Sequence, residues 1–283
     1  MARSFTTLIT ADELRALLES GTEPAIVDCG FDLVDTEAGE RAWRESHVPG
    51  SSYLHLDRDL CGTKTGRNGR HPLPERRAFA ATLGRLGITP ATQVIALDRQ
   101  GGPYAARLWW MLRWLGHEAV AVLDGGFDAW RAAGGAADAQ APAPRAAAPY
   151  PERAPLASTT GGDALAAQLG RMRLLDARAG ERFRGEVEPL DKAAGHIPGA
   201  LNRFFKDNLD VGGRFKPAGQ LRSEFEALIG RDAAAQTVHQ CGSGVTACHN
   251  LLAMEHAGLT GSRLYPGSWS EWSADPSRPI ARG

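Results

Sequence analysis

Four cysteines occur in the chain, Cys29, Cys61, Cys241 and Cys248, and one of them opens a segment suited to anion chemistry. Cys241-Gly242-Ser243-Gly244-Val245-Thr246-Ala247 lies between a strand candidate, Thr237-Val238-His239-Gln240, and a helical pattern from about Val245 to His256 that ends at Gly258. In parallel α/β sheets, ligands collect beyond the carboxyl ends of strands. Gly242 and Gly244 let the backbone curve tightly. The N–H groups of Gly242, Gly244, Val245 and Thr246 can then turn inward as an anion-binding nest, reinforced by the positive end of the helix. A cysteine at the mouth of that nest is favoured as thiolate, the nucleophilic form. Position alone fits an inert packed thiol before a helix, and only the whole loop points to chemistry. Cys248, seven residues or about two helical turns further on, reads as a packed thiol.

The elements that must hold this loop are written twice. Ala25-Ile26-Val27-Asp28 followed by His47-Val48-Pro49-Gly50 in the first half matches Arg173-Leu174-Leu175-Asp176 followed by His196-Ile197-Pro198-Gly199 in the second. Each half closes alike, Gly125-Gly126-Phe127-Asp128-Ala129-Trp130 against Pro266-Gly267-Ser268-Trp269-Ser270-Glu271-Trp272. The period is too long for a solenoid and predicts two similar domains. Val94–Leu97 reads as a buried strand and Ala105–Leu115 as an apolar helix stopped by Gly116. Strands alternating with helices predict an α/β fold, two tandem domains each with a parallel sheet covered by helices on both faces. The expected division is 1–136, an Ala/Pro-rich extended linker over 137–157, and 158–283. His47 and His196 sit in turns and are read as structural. Trp109, Trp110 and Trp114 follow helical spacing and are read as packing residues.

The 283 residues suit two cores, and the formal charge of -1 comes from interspersed signs. No basic stripe suggests nucleic acid. No apolar run approaches the roughly 20 residues of a membrane span, and the first ten residues lack a signal-peptide pattern. The cysteines form no metal-like spacing, so no metal or cofactor is expected, and they fit free thiols in a reducing, cytoplasmic setting.

The cysteine loop, the His196-Ile197-Pro198-Gly199 segment, the Arg178-to-Gly185 stretch and the closing Gly267-Ser268-Trp269-Ser270-Glu271-Trp272 together resemble the rhodanese superfamily of sulfurtransferases over nearly the whole chain. The loop itself is similar to that of the 3-mercaptopyruvate sulfurtransferases; the thiosulfate enzymes place basic residues after the cysteine. The resemblance implies a persulfide on Cys241, a small-molecule sulfur donor, and an acceptor that is a thiol (thioredoxin or a low-molecular-weight thiol) or cyanide. It implies a catalytically silent first domain; an ungapped alignment of Gly102–Ala105 on Gly244–Ala247 sets Arg99 opposite Cys241. It also implies a Ser243–His71–Asp57 relay across a cleft between the domains, able to deliver a proton to departing pyruvate enolate, and a donor-binding Arg182. The family's mercaptopyruvate members carry a second arginine after Glu-Pro. Here Glu188-Pro189 is followed by Leu190, with Arg184 or Lys192 as substitutes. A cysteine phosphatase would need an arginine where Ala247 stands, so the loop lacks the cation for a phosphoryl dianion. The rival from another class is a persulfide carrier without turnover, which a steady-state assay separates.

Overall fold

The computed structural model describes residues 4–143, 145, 148–231 and 233–283. Met1–Arg3, within the leader reading, and Pro144, Ala146 and Ala147, within the linker reading, lie outside the described residues. The chain divides into two compact units, one of Met1–Cys61, Pro74–Leu156 and Val211–Arg214, the other of Gly62–Leu73, Ala157–Asp210 and Phe215–Gly283. The short stretch 62–73 therefore belongs to the second unit although it is encoded within the first repeat.

The first unit holds strands β1 (Leu8–Ile9), β2 (Ala25–Asp28), β3 (Ser52–Tyr53), β4 (Val94–Leu97) and β5 (Val120–Leu123), ordered β1-β5-β4-β2-β3. The second holds β6 (Ser158–Thr159), β7 (Arg173–Asp176), β8 (Ala200–Asn202), β9 (Thr237–Gln240) and β10 (Arg263–Leu264), ordered β6-β10-β9-β7-β8. All these pairings are parallel. The centre strand in each sheet, β4 or β9, is buried along its whole length, as expected of parallel sheets covered on both faces. Each is followed by a helix that packs on it, Pro103–Trp114 or Thr246–His256. The strands read at Val94–Leu97 and Thr237–Gln240 are found with those bounds, and Pro103 starts its helix two residues earlier than the apolar pattern suggested, at the N1 position where a proline lacks nothing.

Core packing follows the repeated motifs. Phe127 and Trp130 pack with Ile9, Ile26, Ile95 and Leu97 in the first unit; Trp269 and Trp272 pack with Leu174, Val238 and Tyr265 in the second. Burying each such side chain contributes about 1.5–3 kcal/mol, which is why the closing motif recurs. Trp109 and Trp110 are buried, Trp114 stacks on Trp110, and the Trp109 indole donates to the Thr6 carbonyl at 2.8 Å. The two turn histidines are structural. His47 Nδ1 pairs with the Trp43 carbonyl at 2.6 Å, and His196 Nδ1 with that of Phe183 at 2.8 Å while stacking on its ring. The described residues of the Ala/Pro-rich segment are tied to the first unit through Asp138 bridged to His47, Tyr150 N–H to the Ala80 carbonyl and Leu156 N–H to that of Arg113. Among the described residues no helix is long and apolar enough to cross a membrane.

Candidate active site

Cys241 follows the last residue of β9, at the carboxyl end of the central strand. Its side chain is nearly buried, and its Sγ accepts N–H bonds from Ser243 at 3.4 Å and Gly244 at 3.1 Å. Gly244 has φ +76°, and a Cβ there would lie 2.4 Å from the Pro266 carbonyl oxygen, so only glycine fits. Val245 caps the helix that Thr246 begins. The closing motif fixes the loop from behind. Cys241 N–H donates to Ser268 Oγ at 3.1 Å, Trp269 N–H to the Cys241 carbonyl at 3.0 Å, and Ser270 N–H to that of Gly242 at 2.9 Å. Ser268 takes a left-handed φ of 53°, rare outside glycine, and its Oγ reaches back to the Tyr265 carbonyl at 2.9 Å. The motif is legible in the sequence, but its anchoring of the cysteine loop is visible only in the fold.

Ser243 Oγ and His71 Nδ1 stand 2.7 Å apart, both buried. His71 is brought there by the 62–73 stretch, whose Gly69 sits against Gly267 and whose Arg70 N–H donates to Ser270 Oγ at 2.9 Å. Asp57 lies in the first unit, in the first turn of the short helix Leu56–Asp59, where its N–H donates to His55 Nδ1 at 3.1 Å. Cys248 is buried and its thiol donates to the Gly244 carbonyl at 3.4 Å, the packed role expected of it. All four cysteines are free.

Arg182 faces the loop at Gly242. Its Nη1 lies 3.5 Å from where a Cβ on Gly242 would be. Its other side is spent on acids, with Nη2 to Glu188 at 2.6 Å and to Asp191 at 3.2 Å. Arg178, which sequence reasoning left without a role, is buried behind the loop. It forks onto Asp176, reaches Glu188 at 3.3 Å and the Gly195 carbonyl at 2.7 Å, and lies 4.7 Å over the Trp269 ring. Burial works against its charge, but Asp176 and Glu188 outweigh it and hold Arg178 above its ordinary range, with Cys241 adding to the same field. Burial likewise raises Glu188, yet the bonds and charges of Arg182 and Arg178 hold that carboxyl below its usual range. At Asp191 burial wins, and the carboxyl is pushed up despite Arg70 and Arg182. Of the two proposed substitutes for the missing second arginine, Arg184 is exposed and paired with Glu186 at 2.7 Å, turned to its own neighbour rather than to the loop. Among the described residues no hydrogen bond or ion pair ties Lys192 to the loop.

The first unit contains the same loop without the thiol. Asp98, not Arg99, follows β4 as Cys241 follows β9. Phe127 N–H donates to the Asp98 carbonyl as Trp269 N–H does to that of Cys241. The ungapped alignment was off by one because it matched glycines rather than strand ends; Gly101, at φ +88°, is the counterpart of Gly244. The Asp98 carboxyl accepts N–H bonds from Gln100 and Gly102 at 2.9 and 2.8 Å and from Tyr104 and Ala105 at 2.9 and 3.0 Å. Burial raises Asp98 and these four bonds oppose it; with four donors aimed at it, the carboxylate is the form that fits.

Two parallel-sheet units carry equivalent loops at the ends of their central strands, with a buried thiol at the start of one and a buried carboxylate at the start of the other. Residues 10–133 and 162–275 each match the rhodanese-like domain, so the chain belongs to the rhodanese family, and it is a sulfurtransferase. It is 46% identical, over 98% of either chain, to a Pseudomonas aeruginosa protein named as a 3-mercaptopyruvate sulfurtransferase. It is 38% identical, over 98% of this chain and 97% of the other, to SseB of Mycobacterium tuberculosis, named as a thiosulfate sulfurtransferase. The solved structure of 3-mercaptopyruvate sulfurtransferase from Leishmania major superposes with a TM-score of 0.84 at 30% identity, covering 95% of this chain and 74% of that one.

Proposed function

We propose that the chain takes a sulfane sulfur from 3-mercaptopyruvate and passes it to a thiol, such as thioredoxin or a low-molecular-weight thiol, or to cyanide, through a persulfide on Cys241. The observation that carries this reading is the Ser243–His71 pair at 2.7 Å beside the Cys241 nest. The Cys241 thiolate attacks the donor sulfur, and an S–S bond forms as the donor C–S bond breaks. The electron pair leaves on the methylene carbon as pyruvate enolate. That enolate needs a proton, and a hydroxyl backed by imidazole supplies one. The loop amides hold the persulfide anion, and the acceptor then removes the outer sulfur and restores the thiolate. Arg182 receives the donor carboxylate. By resemblance Asp57 completes the relay, which Asp57→Asn tests through kcat. The four free, buried cysteines support a reducing cytoplasm as the setting.

A second reading, thiosulfate as donor, is favoured by the guanidinium groups beside Gly242 and by the SseB relative. The experiment is kcat/KM for both donors with cyanide as common acceptor, at one pH and ionic strength. Mercaptopyruvate is expected to give the larger value, because it alone makes use of the Ser243–His71 proton path. A larger value for thiosulfate rejects the mercaptopyruvate reading and leaves the sulfurtransferase intact.

A further inference from the structure

We propose that Ser268 is a positioning residue for the nucleophile, its hydroxyl inserted as an extra link in the sheet ladder where β9 ends and the cysteine loop begins. The inference rests on the reading of Cys241 as the nucleophile. β10 pairs with β9 in parallel, and a direct bond runs from Tyr265 N–H to the His239 carbonyl at 2.9 Å. In a continued parallel ladder the next bond would run from Cys241 N–H to the Tyr265 carbonyl. Here Ser268 Oγ stands between the two. It accepts from Cys241 N–H at 3.1 Å and donates to the Tyr265 carbonyl at 2.9 Å. The link holds the backbone of the nucleophile while parting it from β10 by one oxygen. The chain thus leaves the sheet at Cys241, and the Ser243 and Gly244 N–H groups reach back to its Sγ. Ser268 is fully buried, so removing the hydroxyl would leave the Cys241 N–H without this partner in the interior.

The backbone separates the hydroxyl from the turn that carries it. Ser268 has φ 53°, a conformation that strains a residue with a side chain and that glycine adopts freely. The first unit builds the same turn with glycine. Gly126, which precedes Phe127 as Ser268 precedes Trp269, has φ +61°. A Cβ on Gly126 would lie 2.1 Å from the Asp98 carbonyl oxygen, so that loop has no room for a serine. Glycine therefore serves where the loop starts with a fixed carboxylate, and a strained serine stands where it starts with a thiol. Turn geometry alone is met by glycine; what serine adds is the hydroxyl. Its proton goes to the Tyr265 carbonyl and its lone pair to Cys241 N–H, so it acts through the loop backbone rather than on the donor.

The test compares Ser268→Gly, which copies the first unit's turn and relieves the strain, with Ser268→Ala, which keeps it. The glycine variant is expected to melt above the alanine one. Both should nevertheless lose about tenfold in kcat with mercaptopyruvate and cyanide, with KM little changed, as one buried hydrogen bond behind the nucleophile is lost. Alkylation of Cys241 by iodoacetamide at one pH, followed by peptide mass spectrometry, should slow by a similar factor, whereas a merely loosened fold would expose the thiol and speed it. Wild-type kcat and alkylation in the glycine variant would reduce Ser268 to a turn residue. Turnover that follows the melting order would make it a stability residue, and a loss confined to KM would move its effect to the donor; each of these overturns the proposal. If the wild type proves not to turn over mercaptopyruvate, the functional reading fails by itself. The alkylation comparison, which needs no donor, then still decides about Ser268: slower labelling in both variants upholds it, and equal or faster labelling rejects it.

Discussion

At the scale of single residues the proposed chemistry rests on one sulfur. Cys241 is the thiol that accepts amide N–H bonds from the loop, whereas Cys248 spends its proton on a carbonyl. Cys241→Ser is therefore expected to abolish turnover and to remove the adduct of about 32 Da, one sulfur atom held as an anion by the nest, that mass spectrometry should find after donor treatment. An adduct that survives in the serine variant would place the nucleophile elsewhere. Cys241, Ser243 and the loop glycines could be read in the sequence because their function is local, set by a few consecutive residues. Arg70 could not. It immediately precedes His71, but nothing in the order of residues says that position 70 ends beside position 242.

At the scale of elements, β9 is unlike its counterpart β4. Where β4 reads Val-Ile-Ala-Leu, β9 reads Thr-Val-His-Gln and is as fully buried. Neither ring nitrogen of His239 and neither amide atom of Gln240 finds a hydrogen-bond partner among the described residues. Burial lowers His239 to about 3 from an ordinary 6.5, so it is neutral when folded. Between those values the unfolded chain binds the proton and the folded one does not, so this residue takes stability away as pH falls from 6.5 towards 3. His239→Leu, similar in volume, is expected to stabilise by about 1–2 kcal/mol and to flatten that pH dependence, both readable from thermal melts across the window. A variant melting below wild type at pH 7 would show that the imidazole has a favourable role. The period of strands and helices was legible because the repeat gave it twice; β9 was recognised by its position in the repeat, since its polar residues give no apolar pattern. The off-by-one pairing of Arg99 with Cys241 came from the same source. Glycines fall at similar places in both loops, and only the strand ends fix which residue stands at the nucleophile position.

For the whole molecule, sequence halves and structural units do not coincide. The residues 62–73 belong with the second unit and bring His71 to Ser243, Arg70 to Asp191 and Gly69 to Gly267. A fragment from Thr159 to Gly283 lacks all three. It should retain some fold but melt below the intact chain and lose most of its sulfur transfer, measured with mercaptopyruvate and cyanide. Full activity from that fragment would remove His71 from the mechanism. The sequence could announce two domains because each carries its own core motif, yet a dozen residues lent from one repeat to the other leave no mark in composition or period.

The carboxylate that fills the first unit's nest gives the second copy a meaning of its own. In the first, the negative charge is part of the chain, so the loop forms its hydrogen bonds once, when the protein folds, and keeps them. In the second, on the proposed mechanism, the charge is a sulfur that arrives and departs with every turnover, and the same amides are engaged and released each time. The same kind of cradle thus serves as a permanent rivet in one half of the molecule and as a reusable latch in the other, and a single side chain, Asp98 or Cys241, decides which.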